Sequence, residues 1–220
     1  MRTLRVWFQK RGPIRYISHL DLMRTMTRAI RRSGIPLWYT EGFNPHPYMT
    51  FALPLSLGME SLCESMDIRI EDDTGEAQIL SALQSAMPAG IEITAVKAPV
   101  LDPKFIAFAA FDVVFEGASD LDDFYEKANE LLHRDTLVVQ KLGKKGHKKV
   151  MKDVDLLENL QSFRLQKDGE LLRLQLVLPA GSTTNVNPAL LCDELLKLTD
   201  GALYRITRTA LYTKDMELFA

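Results

Sequence analysis

The chain has two cysteines in 220 residues, Cys63 and Cys192. Two thiols are too few for a disulfide framework, a four-cysteine zinc site or a three-cysteine iron–sulfur cluster, so redox and cluster chemistry by this chain alone are not expected. Long apolar runs are also missing. The longest uncharged apolar stretches, such as residues 105–111, fall far short of the roughly 18 residues that a membrane-spanning helix needs, and the start Met1-Arg2-Thr3-Leu4-Arg5 has no apolar signal segment. The expected location is the cytoplasm, away from membranes. Acid is scarce at one end: residues 1–34 hold nine of the 27 Lys and Arg but one of the 29 Asp and Glu, Asp21. No acid lies between Thr136 and Lys152 either, where six lysines stand. Two basic patches on an otherwise acidic body therefore lie behind a net charge of -2.

With 46% hydrophobic and 25% charged residues the rest reads as a globular chain. Residues 4–9 alternate as a strand with Leu4, Val6 and Phe8 inward. Ser18 followed by Asp21 reads as an N-cap opening a helix that ends at Ser33-Gly34, with Pro36 beyond it. Residues 36–40 and 49–53 read as two arms of a hairpin joined by Glu41-Gly42-Phe43-Asn44-Pro45-His46-Pro47-Tyr48, whose two prolines and glycine exclude regular structure. A strand over 64–71, read as continuing the second arm after a bend at Pro54 and Gly58, a helix over 75–86 and a strand over 91–98 complete the order βαββαβ, a ferredoxin-like unit. The pattern recurs as strand 107–115, a helix from Asp120, strand 137–142, a hairpin turning at Asp168-Gly169, a helix after Asn187-Pro188 and a strand over 202–213. The expected class is α+β with two tandem ferredoxin-like domains, 1–100 and 104–220, joined near Pro99 to Pro103.

At about 100° per residue, Met23, Met26 and Ile30 fall on one side of the first helix and Arg24, Arg28, Arg31 and Arg32 on the other. Asp21 is the one acid on that helix, so intrahelical salt bridges do not account for the arginines. A guanidinium is a planar fork of donors suited to phosphate. In a βαββαβ unit the first strand–helix loop and the hairpin loop share one edge. That topology is expected to bring Arg11, Arg15, Ser18 and His19, at the positive helix end, near Phe43, Asn44 and His46. Phosphates on arginines and bases stacked on Tyr16, Tyr39, Phe43 or Tyr48 would suit a nucleotide or a single RNA strand. Lys144 and Lys145, in the second basic run, are either part of a solvated loop or phosphate contacts.

His19 and His46 are the alternative chemistry, an acid–base pair for RNA cleavage with Glu41 and Glu64 as carboxylates to test. No metal-ligand spacing is present, and neither a metal nor another cofactor is expected. Met23, Met26, Met49 and the two cysteines read as core.

The segments Ile17-Ser18-His19-Leu20-Asp21, Arg28-Ala29-Ile30-Arg31-Arg32-Ser33-Gly34-Ile35-Pro36 and Thr40-Glu41-Gly42-Phe43-Asn44-Pro45-His46-Pro47, with Phe51-Ala52-Leu53-Pro54-Leu55 after them, resemble the uncharacterised bacterial radical-SAM-linked proteins. In that family the module is fused behind, or encoded beside, a cobalamin-binding radical S-adenosylmethionine enzyme. The missing cluster cysteines imply the free-standing partner. A fainter resemblance is to the repeat-RNA endoribonucleases of CRISPR systems, which use tandem ferredoxin-like domains. Their C-terminal glycine-rich loop has no counterpart here beyond Gly201. The resemblance implies a radical enzyme as one partner, and the arginine face with the loop points to RNA as the other. The expected function is an RNA-binding accessory module for tRNA or rRNA that works with a separate radical enzyme, with a metal-independent ribonuclease or nucleotide-acting enzyme using His19 and His46, and a protein-interaction adaptor, as alternatives.

Overall fold

The computed structural model describes residues 1–145, 148–181 and 184–220, with side chains described outside 142–149. The fold is α+β. The chain divides into two compact units, Met1–Ile106 with Thr207–Ala220, and Ala107–Ile206.

In the first unit the order is β1 (Arg2–Lys10), α1 (His19–Ser33), β2 (Met49–Phe51), β3 (Glu60–Ile70), α2 (Glu76–Ala86) and β4 (Ile91–Lys97). β1 pairs antiparallel with both β3 and β4, and β2 pairs antiparallel with the far side of β3. The sheet therefore runs β4-β1-β3-β2. Leu4, Val6 and Phe8 of β1 and Met66, Ile68 and Ile70 of β3 are buried with Leu22, Met26 and Ile30 of α1 and Ile79 and Leu83 of α2. Each such apolar side chain stabilises the fold by about 1.5–3 kcal/mol. α1 starts where its sequence says it should: the Ser18 hydroxyl accepts the Asp21 N–H at 3.1 Å, and Gly34 ends the helix at a left-handed φ of 70°. Thr207 and Arg208 pair parallel with Glu60 and Ser61 of β3.

The hairpin differs from its sequence reading. Residues 36–40 make no strand; they run beside β3 through the bridge Leu37 to Ile70, and the Trp38 N–H donates to the Arg69 carbonyl at 2.9 Å. The chain then leaves the sheet edge and returns at Tyr48, whose N–H donates to the Trp38 carbonyl at 3.1 Å. β3 starts at Glu60 rather than Glu64, so the β2–β3 connection is 52–59. Residues 41–48 form an excursion that precedes β2.

In the second unit the order is β5 (Phe108–Glu116), α3 (Leu121–Leu132), β6 (Val138–Lys145), β7 (Lys148–Asp155), β8 (Ser162–Asp168), β9 (Leu171–Pro179), α4 (Ala189–Leu196) and the start of β10 (Leu203–Tyr212), whose residues from Thr207 onward belong to the first unit. Its sheet runs β10-β5-β9-β8, while β6 and β7 pair with each other as a separate two-stranded sheet. Without that added hairpin the order is again βαββαβ. Phe111, Val113 and Phe115 of β5 face inward with Phe124, Ala128 and Leu131 of α3 and Leu191, Cys192 and Leu195 of α4. Gly117 and Gly201 let two connections touch: a Cβ on Gly117 would lie 3.1 Å from the Gly201 carbonyl oxygen.

Candidate nucleic-acid interface

Arg24, Arg28, Arg31 and Arg32 all lie exposed along α1. Arg24 makes an exposed pair with Asp21 at 3.2 Å, screened by water and open to competition by another anion. Arg32 donates to the Ala86 carbonyl at the end of α2, at 2.9 Å. Arg28 and Arg31 have no carboxylate partner among the described residues. Arg31 instead lies over the Tyr39 ring, 5.8 Å from its centroid.

That contact locates the 41–48 excursion. α1 runs back along the sheet from the Lys10 end of β1 towards the Arg2 end, where Arg2 pairs with Ile70. Leu37 bridges to the same Ile70, so the excursion leaves the sheet edge near the C-terminal end of α1. The expectation that Arg11, Arg15, Ser18 and His19 share a rim with Phe43, Asn44 and His46 is corrected here. Topology puts the β2–β3 connection beside the β1–α1 loop, as the sequence reading supposed, but that connection is 52–59. Its Gly58 N–H donates to the Arg15 carbonyl at 2.9 Å.

The groups at the start of α1 are largely engaged within the fold. Arg15 donates to the Tyr16 hydroxyl at 2.8 Å and to Glu60 at 3.4 Å. Ser18 caps α1 and also donates to Asp21 Oδ2 at 2.7 Å. Arg11 has an exposed side chain, while its backbone N–H donates to the Gly90 carbonyl at 2.8 Å. His19 packs edge-on against Phe51, centroids 5.1 Å apart, whereas His46 belongs to the excursion. Among the described residues no hydrogen bond or ring contact joins the two imidazoles. Glu64 is engaged in the interior: it is 2% exposed and ion-paired with Arg208, itself 3% exposed, with Nε to Oε1 at 3.1 Å.

The excursion is pinned at its neck. The Thr40 N–H donates to the His46 carbonyl at 2.9 Å, and the His46 N–H donates to Thr40 Oγ1 at 3.2 Å. His46 Nδ1 sits 3.1 Å from both Thr40 Oγ1 and the Asn44 carbonyl. Pro47 is buried, Phe43 projects fully into solvent and Asn44 beside it is exposed. His46 therefore has a structural part in holding the tip.

Two features carry no local sequence signal. Arg69 of β3 lies 5.3 Å from the Trp38 ring centroid and 4.1 Å from that of Tyr48, a cation held against the two residues at the excursion's neck. Alternation along β3 puts Arg69 on the sheet face away from the helices, but its ring partners lie about twenty to thirty positions away in sequence and only the topology supplies them. The second is the buried group of Lys10, Glu64 and Arg208. Burial pushes the Lys10 ammonium below its ordinary value, Glu64 acts against that shift and Arg208 adds to it. The side chains of Lys144 and Lys145 lie outside the described residues. Among the described residues no three His, Cys, Asp or Glu side chains cluster as metal ligands, and no helix is long and apolar enough to cross a membrane.

A family model described as an uncharacterized protein conserved in bacteria, DUF2344, matches residues 3–188. The chain belongs to that family. No curated protein matches it. Among solved structures, a chain of a Cbf5-Nop10-Gar1 complex is similar at 9% identity with a TM-score of 0.49 over 93% of this chain. This protein spans about half of that chain, 48%. An unknown protein from Galdieria sulphuraria is similar at 13% identity, with 94% of this chain and 98% of that chain covered and a TM-score of 0.26.

Proposed function

We propose that this member of DUF2344 is an RNA-binding accessory module that grips tRNA or rRNA through the exposed face of α1 and the 41–48 excursion. The observation that carries the reading is the pair Arg28 and Arg31: two exposed guanidiniums, without carboxylate partners among the described residues, beside an aromatic-tipped projection. A cationic track with neighbouring rings is the recurring solution for single-stranded or looped RNA, with phosphates on the track and bases on the rings. In the second unit Lys141 and Lys152 are directly opposed in the β6–β7 register, a like-charge pairing that costs stability and that a polyanion relieves. Lys144 and Lys145 extend the same basic run as proposed second contacts. Arg11 and Arg24 are proposed as lesser phosphate contacts. The resemblance in the Gly-Phe-Asn-Pro-His-Pro segment supports a separate cobalamin-binding radical enzyme as the protein that receives the RNA.

The test is fluorescence anisotropy of a labelled tRNA against salt. Each phosphate contact on single-stranded RNA contributes about -0.7 to the slope of log affinity against log salt, so Arg28→Glu with Arg31→Glu flattens the slope by about 1.4 and weakens binding at least tenfold. Salt-independent affinity, or no effect of the double reversal, refutes the reading. Retention of the radical enzyme after nuclease treatment, with no RNA affinity, would instead favour a protein adaptor.

A further inference from the structure

The outer face of the first unit's sheet, away from α1 and α2, carries a cleft of about 470 Å³ next to the neck of the excursion. Its floor is Asp67, which stands in register between Arg5 of β1 and Thr50 of β2. Tyr48 forms one wall, and the turn 99–103, with Pro99 and Val100, forms the other. We propose that this cleft is a nucleobase subsite that prefers guanine.

The chemistry of the floor selects the occupant. Arg5 is buried and donates twice to Asp67, Nε to Oδ1 at 2.7 Å and a terminal nitrogen to Oδ2 at 2.9 Å. Its remaining terminal nitrogen donates to the Leu101 carbonyl at 2.7 Å, and the C-terminal Phe219 ring lies 4.9 Å from the guanidinium carbon. Three of the five guanidinium N–H donors are thus used within the fold, and the buried charge offsets the carboxylate. The Arg5–Asp67 pair is neutral and Asp102 on the turn is paired with Lys104 at 3.2 Å, so the cleft favours neither a free phosphate nor a polyamine. Each Asp67 oxygen accepts one of these hydrogen bonds, and the side chain is still 16% exposed, so acceptor lone pairs remain open to the cleft. The exposed Thr50 hydroxyl beside them can donate or accept. An occupant must therefore bring N–H donors on a flat edge and apolar faces for Tyr48 and Pro99. Guanine has adjacent N1–H and N2–H donors on one edge, whereas uracil offers a single N–H there. The volume lies within the range of small-ligand sites.

The cleft also continues the proposed RNA path. Tyr48 carries Arg69 on its ring, and Trp38 on the other side of the neck holds the same guanidinium. A strand with phosphates on Arg28 and Arg31 would pass Tyr39 and the neck and deliver a base to Asp67. The subsite rests on the RNA reading for the source of that base, while its ring chemistry is common to free guanosine nucleotides.

The experiment titrates the full chain with GMP, AMP, CMP and UMP by saturation-transfer NMR, and with a labelled heptanucleotide holding one or no guanosine by anisotropy. A matched two-donor edge is worth roughly tenfold in discrimination, so GMP or the guanosine-containing heptamer binds about tenfold tighter than its competitors. Thr50→Val and Asp67→Asn each remove the preference, and Thr50→Val, at an exposed edge-strand position, keeps the test valid should Asp67→Asn unfold. Arg28→Glu with Arg31→Glu abolishes heptamer binding and leaves GMP binding intact. Preference for GMP without RNA affinity supports the subsite with free nucleotide as its source and overturns the RNA reading alone. Preference confined to the guanosine-containing heptamer supports the subsite with RNA as its source. Equal binding of all four bases in both formats, or a guanine preference that survives Thr50→Val and Asp67→Asn, overturns the subsite.

Discussion

Arg208→Met is the sharpest test of the first unit. Arg208 and Glu64 are 144 residues apart in sequence and buried together, and Arg208 also donates to the Leu53 and Pro54 carbonyls at 3.1 and 3.4 Å. Removing the guanidinium leaves a carboxylate without its ion-pair partner in the interior, a loss of about 3–5 kcal/mol. Lys10 then becomes the nearest cation and is relieved of Arg208's repulsion, which places the loss towards the lower end of that range. For a chain of this length each kcal/mol moves Tm by about 2–4 °C, so a drop of about 6–16 °C is expected. Thermal denaturation followed by circular dichroism at pH 7.5 measures it. Glu64→Leu with Arg208→Met removes both charges, and its cost is the two lost carbonyl bonds, about 1 kcal/mol each. A Tm for Arg208→Met within 2 °C of wild type, or a double variant no more stable than the single, would refute the buried pair.

Gly90→Ala forces a Cβ to within 2.6 Å of the Arg11 carbonyl oxygen at a φ of 89°; it should cost about 2–3 kcal/mol in urea denaturation, and a cost under 0.5 kcal/mol would mean that the β1–α1 loop is not seated on residue 90. Lys10 titrates below its ordinary 10.5 because of burial, so the unfolded state binds more protons in the window below that value and its contribution improves as pH rises through it. Wild-type stability measured relative to Lys10→Met should therefore increase between pH 8 and 10.5, and a flat or falling difference contradicts the burial. Burial pushes the Cys63 thiol up to about 11 and Cys192 higher still; iodoacetamide at pH 8 should leave both unmodified in the folded protein and label both in urea, as read by intact mass.

Where local chemistry decides the structure, the sequence was legible. Ser18, Gly34 and the helical spacing of Met26 and Ile30 define α1 to the residue, with Leu22 rather than Met23 completing the buried stripe, and the Asp168-Gly169 turn sets the β8–β9 hairpin, with Gly169 at a φ of 62°. β3 was misread at its start because Ser61 and Glu64 occupy buried positions there. Polar residues on an inward face erase the alternation that announces a strand, and what permits them, Arg208, lies in the last strand. β7 was missed for a related reason: Lys-Lys-Val-Met-Lys-Asp-Val-Asp has no period-two apolar face, and its partner β6 pairs with it apart from the main sheet.

Reading residues 36–40 as a strand had a large consequence for the site. With 36–40 paired to 49–53, the proline-rich segment becomes the hairpin turn and must sit beside the start of α1. With β2 at Met49–Phe51, the connection to β3 is 52–59 and the same segment becomes an edge excursion near the end of α1. The arginines that can serve it change accordingly, from Arg11 and Arg15, the latter held by Tyr16 and Glu60, to Arg28 and Arg31, which have no such ties among the described residues. A reversal of Arg15 should therefore act on RNA binding mainly through loss of its loop contacts, and a reversal of Arg31 directly. Comparing Arg15→Gln with Arg31→Gln at matched stability separates the two rims: equal losses of RNA affinity would return the contact to the start of the helix.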